Sequence, residues 1–248
     1  DARENLAAEI PAWDFDRVRQ QSREAWENSL DRISVSGGTE DQKTIFYTAL
    51  YHSMIDPRTE TDVNGSYPGG DGQIHHTNGF TKRTIFSGWD VYRSQFPLLM
   101  LIAPSIVNDQ INSAVELADQ NGTHYYDRWE LMGSYTGCMC GSPQVAVIND
   151  AYQKGIRNYD LAKAYAYSVN TCEKFGNGPQ GYTSTGHGLA ITLENAYADW
   201  NLAQLATALE HADDAKKFTA RGQNYRQVFN ADAPWTYDKA GKDAHPEW

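Results

Sequence analysis

Asp160-Leu161-Ala162-Lys163-Ala164-Tyr165-Ala166-Tyr167-Ser168-Val169-Asn170-Thr171-Cys172 is the stretch on which the fold class turns. Leu161, Ala164, Tyr165, Ser168, Val169 and Cys172 recur at i, i+3, i+4, i+7, i+8 and i+11, the period of one helical face and not the alternation of a strand. Asp160 stands at the N-cap, where a carboxylate accepts from the unpaired amides of the first turn. Small residues dominate the inner face, so a second helix can approach closely, as in stacked helical hairpins.

The same period recurs outward from this stretch. Ile106, Val107, Ile111, Ala114, Val115 and Ala118 form a second face behind Ser105. Pro143, after Ser142, reads as the first position of a third helix carrying Val145, Ile148 and Tyr152. Leu193, Ala196, Tyr197 and Trp200 mark a fourth that runs on through Leu205 and Leu209. Further helices are expected near Asp14 to Ile33, Asp41 to Met54, Trp89 to Ile102 and Asp213 to Phe229. With about eight helices, little strand alternation and no repeat, the expected architecture is an all-α array or toroid, and a parallel α/β sheet is disfavoured. Asp56 to Arg83 and Glu173 to Gly188 read as long loops, the first ordered by Tyr67, His75, His76 and Phe80. Ala231 to Trp248 reads as irregular and the N-terminus enters straight into a helix, so a fragment of a longer polypeptide is expected.

Composition narrows the function classes. Hydrophobic residues at 40% and charged residues at 21% describe a globular chain able to bury a core. A formal net charge of -11 with 21 scattered Lys and Arg argues against a nucleic-acid partner. No apolar run reaches the ~18 residues of a membrane span, and Asp1-Ala2-Arg3 begins no signal peptide. Cys138 and Cys140 fit neither a redox nor a zinc motif, and with Cys172 they read as buried free thiols. The 7 Trp and 15 Tyr suit a pocket for a pyranose and equally an aromatic core.

Ser87-Gly88-Trp89-Asp90-Val91-Tyr92-Arg93 sets an indole, a carboxylate and a guanidinium together at the end of a glycine-rich loop. Trp89 can stack on a sugar while Asp90 accepts two hydroxyl hydrogen bonds. The plainer reading has Trp89 packing and Asp90 pairing with Arg93 three residues on. Tyr126-Asp127-Arg128-Trp129-Glu130, ahead of Gly133 and Gly137, either lines the same pocket or is an ion-paired loop. Asp62-Val63-Asn64-Gly65-Ser66, with Asp71 beyond, opens like a calcium loop but lacks the closing Glu, and an Asx turn fits it better. His75 and His76 project to opposite sides, which does not suit a joint metal site. The 32 acidic residues single out no catalytic pair, and neither a nucleophile elbow nor a phosphate-cradling glycine motif occurs.

Taken in order, Phe46-Tyr47-Thr48-Ala49-Leu50-Tyr51-His52-Ser53, Asp62-Val63-Asn64-Gly65 with Asp71-Gly72, Ser87 to Arg93 with Pro97-Leu98-Leu99, Val145 to Ile156 and Thr192 to Trp200 resemble the signatures of glycoside hydrolase family 92. The resemblance covers nearly the whole chain. It implies a calcium-dependent, inverting exo-α-mannosidase acting on α-mannosides of N-glycans or mannans, with an N-terminal β-sandwich and an (α/α)6 catalytic toroid. It also implies a secreted, periplasmic or cell-surface location. Residues 1–248 would be the N-terminal two-thirds or so of the catalytic domain, with long irregular loops.

Trp89 and Asp90 match the family's motif residue by residue and are carried over as part of its mannose-binding wall, with Arg128 and Trp129 beside them. Ca2+ is implied, bound to two sugar hydroxyls and helping to distort the ring, with no ligands assigned here. Inversion requires acid and base carboxylates roughly 6.5 to 9.5 Å apart, with a water between base and sugar. The family's Glu-Gly-x-x-Trp-Gln segment, which supplies the acid, and its Asp-Cys-Gly-Gln segment, which supplies the base, do not occur in this chain. Both catalytic groups are therefore expected beyond Trp248, in remaining parts of the same polypeptide. Members that uncap mannose-1-phospho-6-mannose, another (α/α)6 glycosidase or lyase, and a non-catalytic carbohydrate-binding helical module stand as alternatives. Residues 1–248 expressed alone are expected to release no mannose from an aryl α-mannoside; a rate comparable to that of the intact protein would overturn this.

Overall fold

A computed structural model describes residues 2–184 and 186–229. The helices are α1 (Ala2–Glu9), α2 (Phe15–Leu30), α3 (Glu40–Ser53), α4 (Gly88–Val91), α5 (Gln95–Ile102), α6 (Pro104–Gln120), α7 (Pro143–Gln153), α8 (Leu161–Phe175), α9 (Gly188–Ala208) and α10 (Ala212–Gly222), followed by a 3-10 turn at Asn224–Gln227. The strands are β1 (Arg58–Thr59), β2 (Ser66–Pro68), β3 (Ile74–His76), β4 (Arg83–Thr84), β5 (Glu130–Leu131) and β6 (Ser134–Tyr135). They pair antiparallel as β1 with β4, β2 with β3 and β5 with β6. The described chain is therefore mostly helical, as the periodicity requires. Ala231 to Trp248, read as irregular, lies outside the described residues.

Several helix starts follow local chemistry. The Asp160 carboxylate accepts from the Lys163 amide at 3.0 Å, a cap that typically contributes about 1 kcal/mol. Thr39 and Gln42 form a reciprocal capping box at α3. Pro143 opens α7 as expected. The helix expected behind Ser105 starts two residues earlier, at Pro104, because the fixed φ of proline is already helical and its missing N–H costs nothing there.

Four expectations are corrected. Trp89 to Ile102 is not one helix but α4 and α5, broken at Tyr92 to Ser94. Pro97 is the reason: in a continuous helix its ring would clash with the carbonyl of Arg93. The loop from Asp56 to Arg83 contains the β2–β3 hairpin, where Tyr67 is buried and its hydroxyl accepts from Gln120 Nε2 at 2.9 Å. Of the second loop, Glu173 to Phe175 belong to α8 and Gly188 to α9. Among the cysteines only Cys172 is buried, while Cys140 is half-buried and Cys138 exposed on a surface turn.

The core runs through α5 to α10, and α7 is buried over most of its length. Helix α9 is the larger surprise. Of the face read from sequence, Leu193, Tyr197 and Trp200 are 37%, 45% and 44% exposed, while Ala196 and Leu205 are buried. Burial falls instead on Thr192, Asn195, Asp199, Leu202, Ala203 and Ala206, because the polar members of that face are partnered. Asn201 Oδ1 accepts from Asn149 Nδ2 at 2.9 Å, and the Asp199 carboxylate takes two 2.9 Å bonds from Arg221.

Burial pushes the Asp199 carboxyl up to about 6, against the lowering effect of Arg221. The folded state therefore binds this proton more tightly than the unfolded chain, whose Asp titrates near 3.9. The contribution of Asp199 to stability is most favourable below about pH 4 and declines as pH rises to about 6, then levels. Asp199→Asn should flatten the fall in folding stability over this window, measured by urea denaturation at stepped pH.

Candidate functional site

Two loop segments are laid side by side. The Phe86 amide donates to the Glu130 carbonyl at 3.1 Å and the Glu130 amide donates back at 3.0 Å. Gly88 then passes so near Arg128 that a Cβ there would meet the Arg128 carbonyl oxygen and Pro143 Cγ at 2.5 Å. Only a residue without a side chain allows that approach. Ser87 joins the segments: its hydroxyl donates to the Asp90 carboxylate and accepts from the Trp129 indole N–H. The structure thus brings Trp89, Asp90, Arg128 and Trp129 to one patch.

The ion-paired reading of the second segment does not hold. Asp127, 7% exposed, accepts from the Gly137 amide at 2.8 Å, and Arg128 donates to the Gly137 carbonyl at 3.0 Å. Both therefore hold the turn after β6. Arg128 also lies over the Phe175 ring, 5.0 Å from its centre.

Arg93 does not take Asp90 as its partner either. It donates to Glu194 Oε1 at 2.5 Å and through Nε to the Trp89 carbonyl at 3.1 Å. Glu194 Oε1 also accepts from the Trp89 indole at 3.1 Å, and Oε2 from the Tyr92 hydroxyl at 2.8 Å. Burial first, and then the Glu194 carboxylate, push the Tyr92 phenol well above its ordinary range. The guanidinium sits 4.9 Å from the Trp89 ring centre and 4.8 Å from that of Tyr92, within cation–π range. Hydrogen bonds to a charged group contribute about 1.5–3 kcal/mol each, the half-exposed Arg93 less because water screens it. Gly141, at φ 79°, closes over the carboxylate so tightly that a Cβ would lie 2.8 Å from Glu194 Cβ. Glu194 was absent from the sequence-based candidates; its signal was a lone acid beside the helical-period residues Leu193, Ala196 and Tyr197.

A groove of about 450 Å³ adjoins this cluster, lined in part by Tyr92, Arg93, Asn149, Gln153, Tyr197 and Trp200. Tyr197 and Trp200 stack at 17°, with ring centres 6.0 Å apart. Its size suits a sugar, but Trp89, Asp90, Arg128 and Trp129 are not among its walls. Behind Phe86 a cavity of about 20 Å³ is lined by Gln110, Glu130 and Gln144, room for one water and no more.

The described residues do not fit a calcium ion. Among the described residues no group of three or more His, Cys, Asp or Glu could hold a metal. Asn64 accepts from the Ser66 amide at 3.0 Å and Asp71 from the Gln73 amide at 3.0 Å, which makes both Asx turns. His75 turns to Asp71 at 3.0 Å and His76 to Ser66 at 3.4 Å. No described helix is long and apolar enough to cross a membrane.

The glycosyl hydrolase family 92 catalytic domain model matches residues 1–248. The chain belongs to glycosyl hydrolase family 92. An uncharacterized secreted glycosidase of Arthroderma benhamiae is 28% identical over 255 residues, covering 96% of this chain and 30% of that protein. The family GH92 α-mannosidase BT3965 of Bacteroides thetaiotaomicron superposes with a TM-score of 0.89 at 27% identity, over 98% of this chain and 34% of its own. That relative has also been seen in complex with mannoimidazole. The inverting mannosidase BT2199 of the same organism gives 0.86 at 27%, over 94% and 34%. The family 92 chain thus spans about a third of the length of these relatives.

Gly88→Ala should separate the two segments of the patch. Overpacking at such a site typically costs about 1–3 kcal/mol, to be seen as a lowered midpoint of chemical denaturation in the full-length protein. An unchanged midpoint would refute the close approach.

Proposed function

We propose that the polypeptide carrying this chain hydrolyses α-mannosides, and that residues 87–93 and 127–129 supply part of the wall that binds the mannose. The observation that carries this reading is the convergence of Trp89, Asp90, Arg128 and Trp129 through Ser87, in a chain of family 92 whose solved relatives include α-mannosidases. Trp89 offers a flat apolar face to the ring. Asp90, exposed and held by the Ser87 hydroxyl, keeps lone pairs to accept sugar hydroxyls.

The finer reading is an inverting exo-enzyme that uses calcium and acts on N-glycans or mannans. No cluster among the described residues could hold the metal, and the family's acid and base segments do not occur in this sequence, which supports assigning these groups to other parts of the polypeptide. Within it, residues 1–248 would form the N-terminal two-thirds or so of an (α/α)6 catalytic domain. A secreted, periplasmic or cell-surface location is supported by the relative from Arthroderma benhamiae.

In the full-length protein, Trp89→Ala and Asp90→Ala should each lower kcat/KM for an aryl α-mannoside by about 10- to 100-fold, the loss expected for one charge-assisted contact or its equivalent. The check is mannose release by variants with wild-type thermal midpoints. Wild-type rates in both would sink the assignment.

A further inference from the structure

The Glu194 carboxylate gathers three donors from a single stretch of chain, the Trp89 indole at 3.1 Å, the Tyr92 hydroxyl at 2.8 Å and the Arg93 guanidinium at 2.5 Å. It reaches them from α9, across 105 residues of sequence from Trp89. An indole confined only by packing can rock about its outer torsion, because sp³–sp² wells are broad. Here an in-plane hydrogen bond fixes the edge of the ring, and Arg93 lies over it, 4.9 Å from its centre. Arg93 is itself oriented by Glu194 and tied back to the Trp89 carbonyl at 3.1 Å. Its guanidinium is 46% exposed and keeps its water when the carboxylate is removed. The loss would then be one of orientation and not of a stranded buried charge.

We infer that Glu194 is a positioning residue for sugar binding: it sets the plane of the Trp89 indole and the place of Arg93 without contacting the sugar. This rests on the reading of Trp89 as a mannose platform. A contact preset in the free protein and used equally in ground and transition states acts on KM and leaves kcat alone. Glu194→Gln retains a carbonyl oxygen for the indole but loses the charge that draws Arg93. Glu194→Ala loses both.

The test is a double-mutant cycle in the full-length protein with an aryl α-mannoside as substrate and an S-linked mannobiose as binding probe in calorimetry. E194A should raise KM about tenfold with kcat within roughly twofold, and E194Q should fall between E194A and wild type. In a W89A background the same change should move KM less than about twofold, because the residue acts through the indole. A purely structural role would give the same loss in both backgrounds, and that additivity would overturn the inference. Unchanged binding in E194A, or a fall in kcat at constant KM, would overturn it too. Should E194A fail to fold, E194Q and the W89A/E194Q pair carry the same cycle. If the wild-type protein neither binds nor cleaves an α-mannoside, the substrate reading falls and this one with it, an outcome distinct from a wild type that binds and a variant that binds equally well.

Discussion

Helix α9 is buried on a face that carries polar side chains, and the rest of the described structure is arranged to satisfy them. Asn195 donates to the Phe175 carbonyl and to Asn177, Asp199 is held by Arg221 of α10, and Asn201 accepts from Asn149 of α7. A buried polar group left without a partner costs about 1–3 kcal/mol. A rotation or slip of α9 would break several of these bonds at once. Apolar packing alone tolerates small shifts between helices; this set of directional contacts does not, and it gives α9 one register against α7, α8 and α10.

That register has its main consequence at the other face of the helix. With Asn195 and Asp199 turned inward, Glu194 comes to the rim, beneath Gly141 and opposite Trp89, Tyr92 and Arg93. The patch is thus assembled from three separate stretches of chain: a loop leading into α4, a turn-rich segment around β5 and β6, and the first half of α9. Loops placed by a rigid helical scaffold are where binding residues are expected. The glycines at 88 and 141 mark the two points where backbone or side chain comes too near for a Cβ.

Much of the fold was legible in local sequence because its causes are local. The period of Leu161 to Cys172, the cap at Asp160 and the proline at 143 each act within one or two helical turns. The prolines at 97 and 104 acted locally too, although their effect on helix limits was read less well. Trp89, Asp90, Arg128 and Trp129 were legible as candidates through a motif resemblance, and the structure places them together.

What the sequence determined by itself was the helical class, the order of the main helices, an Asx turn in the loop from Asp62 to Ser66, and the family. What only the tertiary structure decided was the choice of partners. Arg93 has Asp90 three residues away yet pairs with Glu194, 101 residues on, and Asp127 and Arg128 hold the Gly137 backbone instead of each other. Leu193, Tyr197 and Trp200 stay exposed while Asn195 and Asp199 go inside. Hydropathy ranks a side chain by its own cost of burial. That cost is offset by a partner from another element, whose position no local pattern contains.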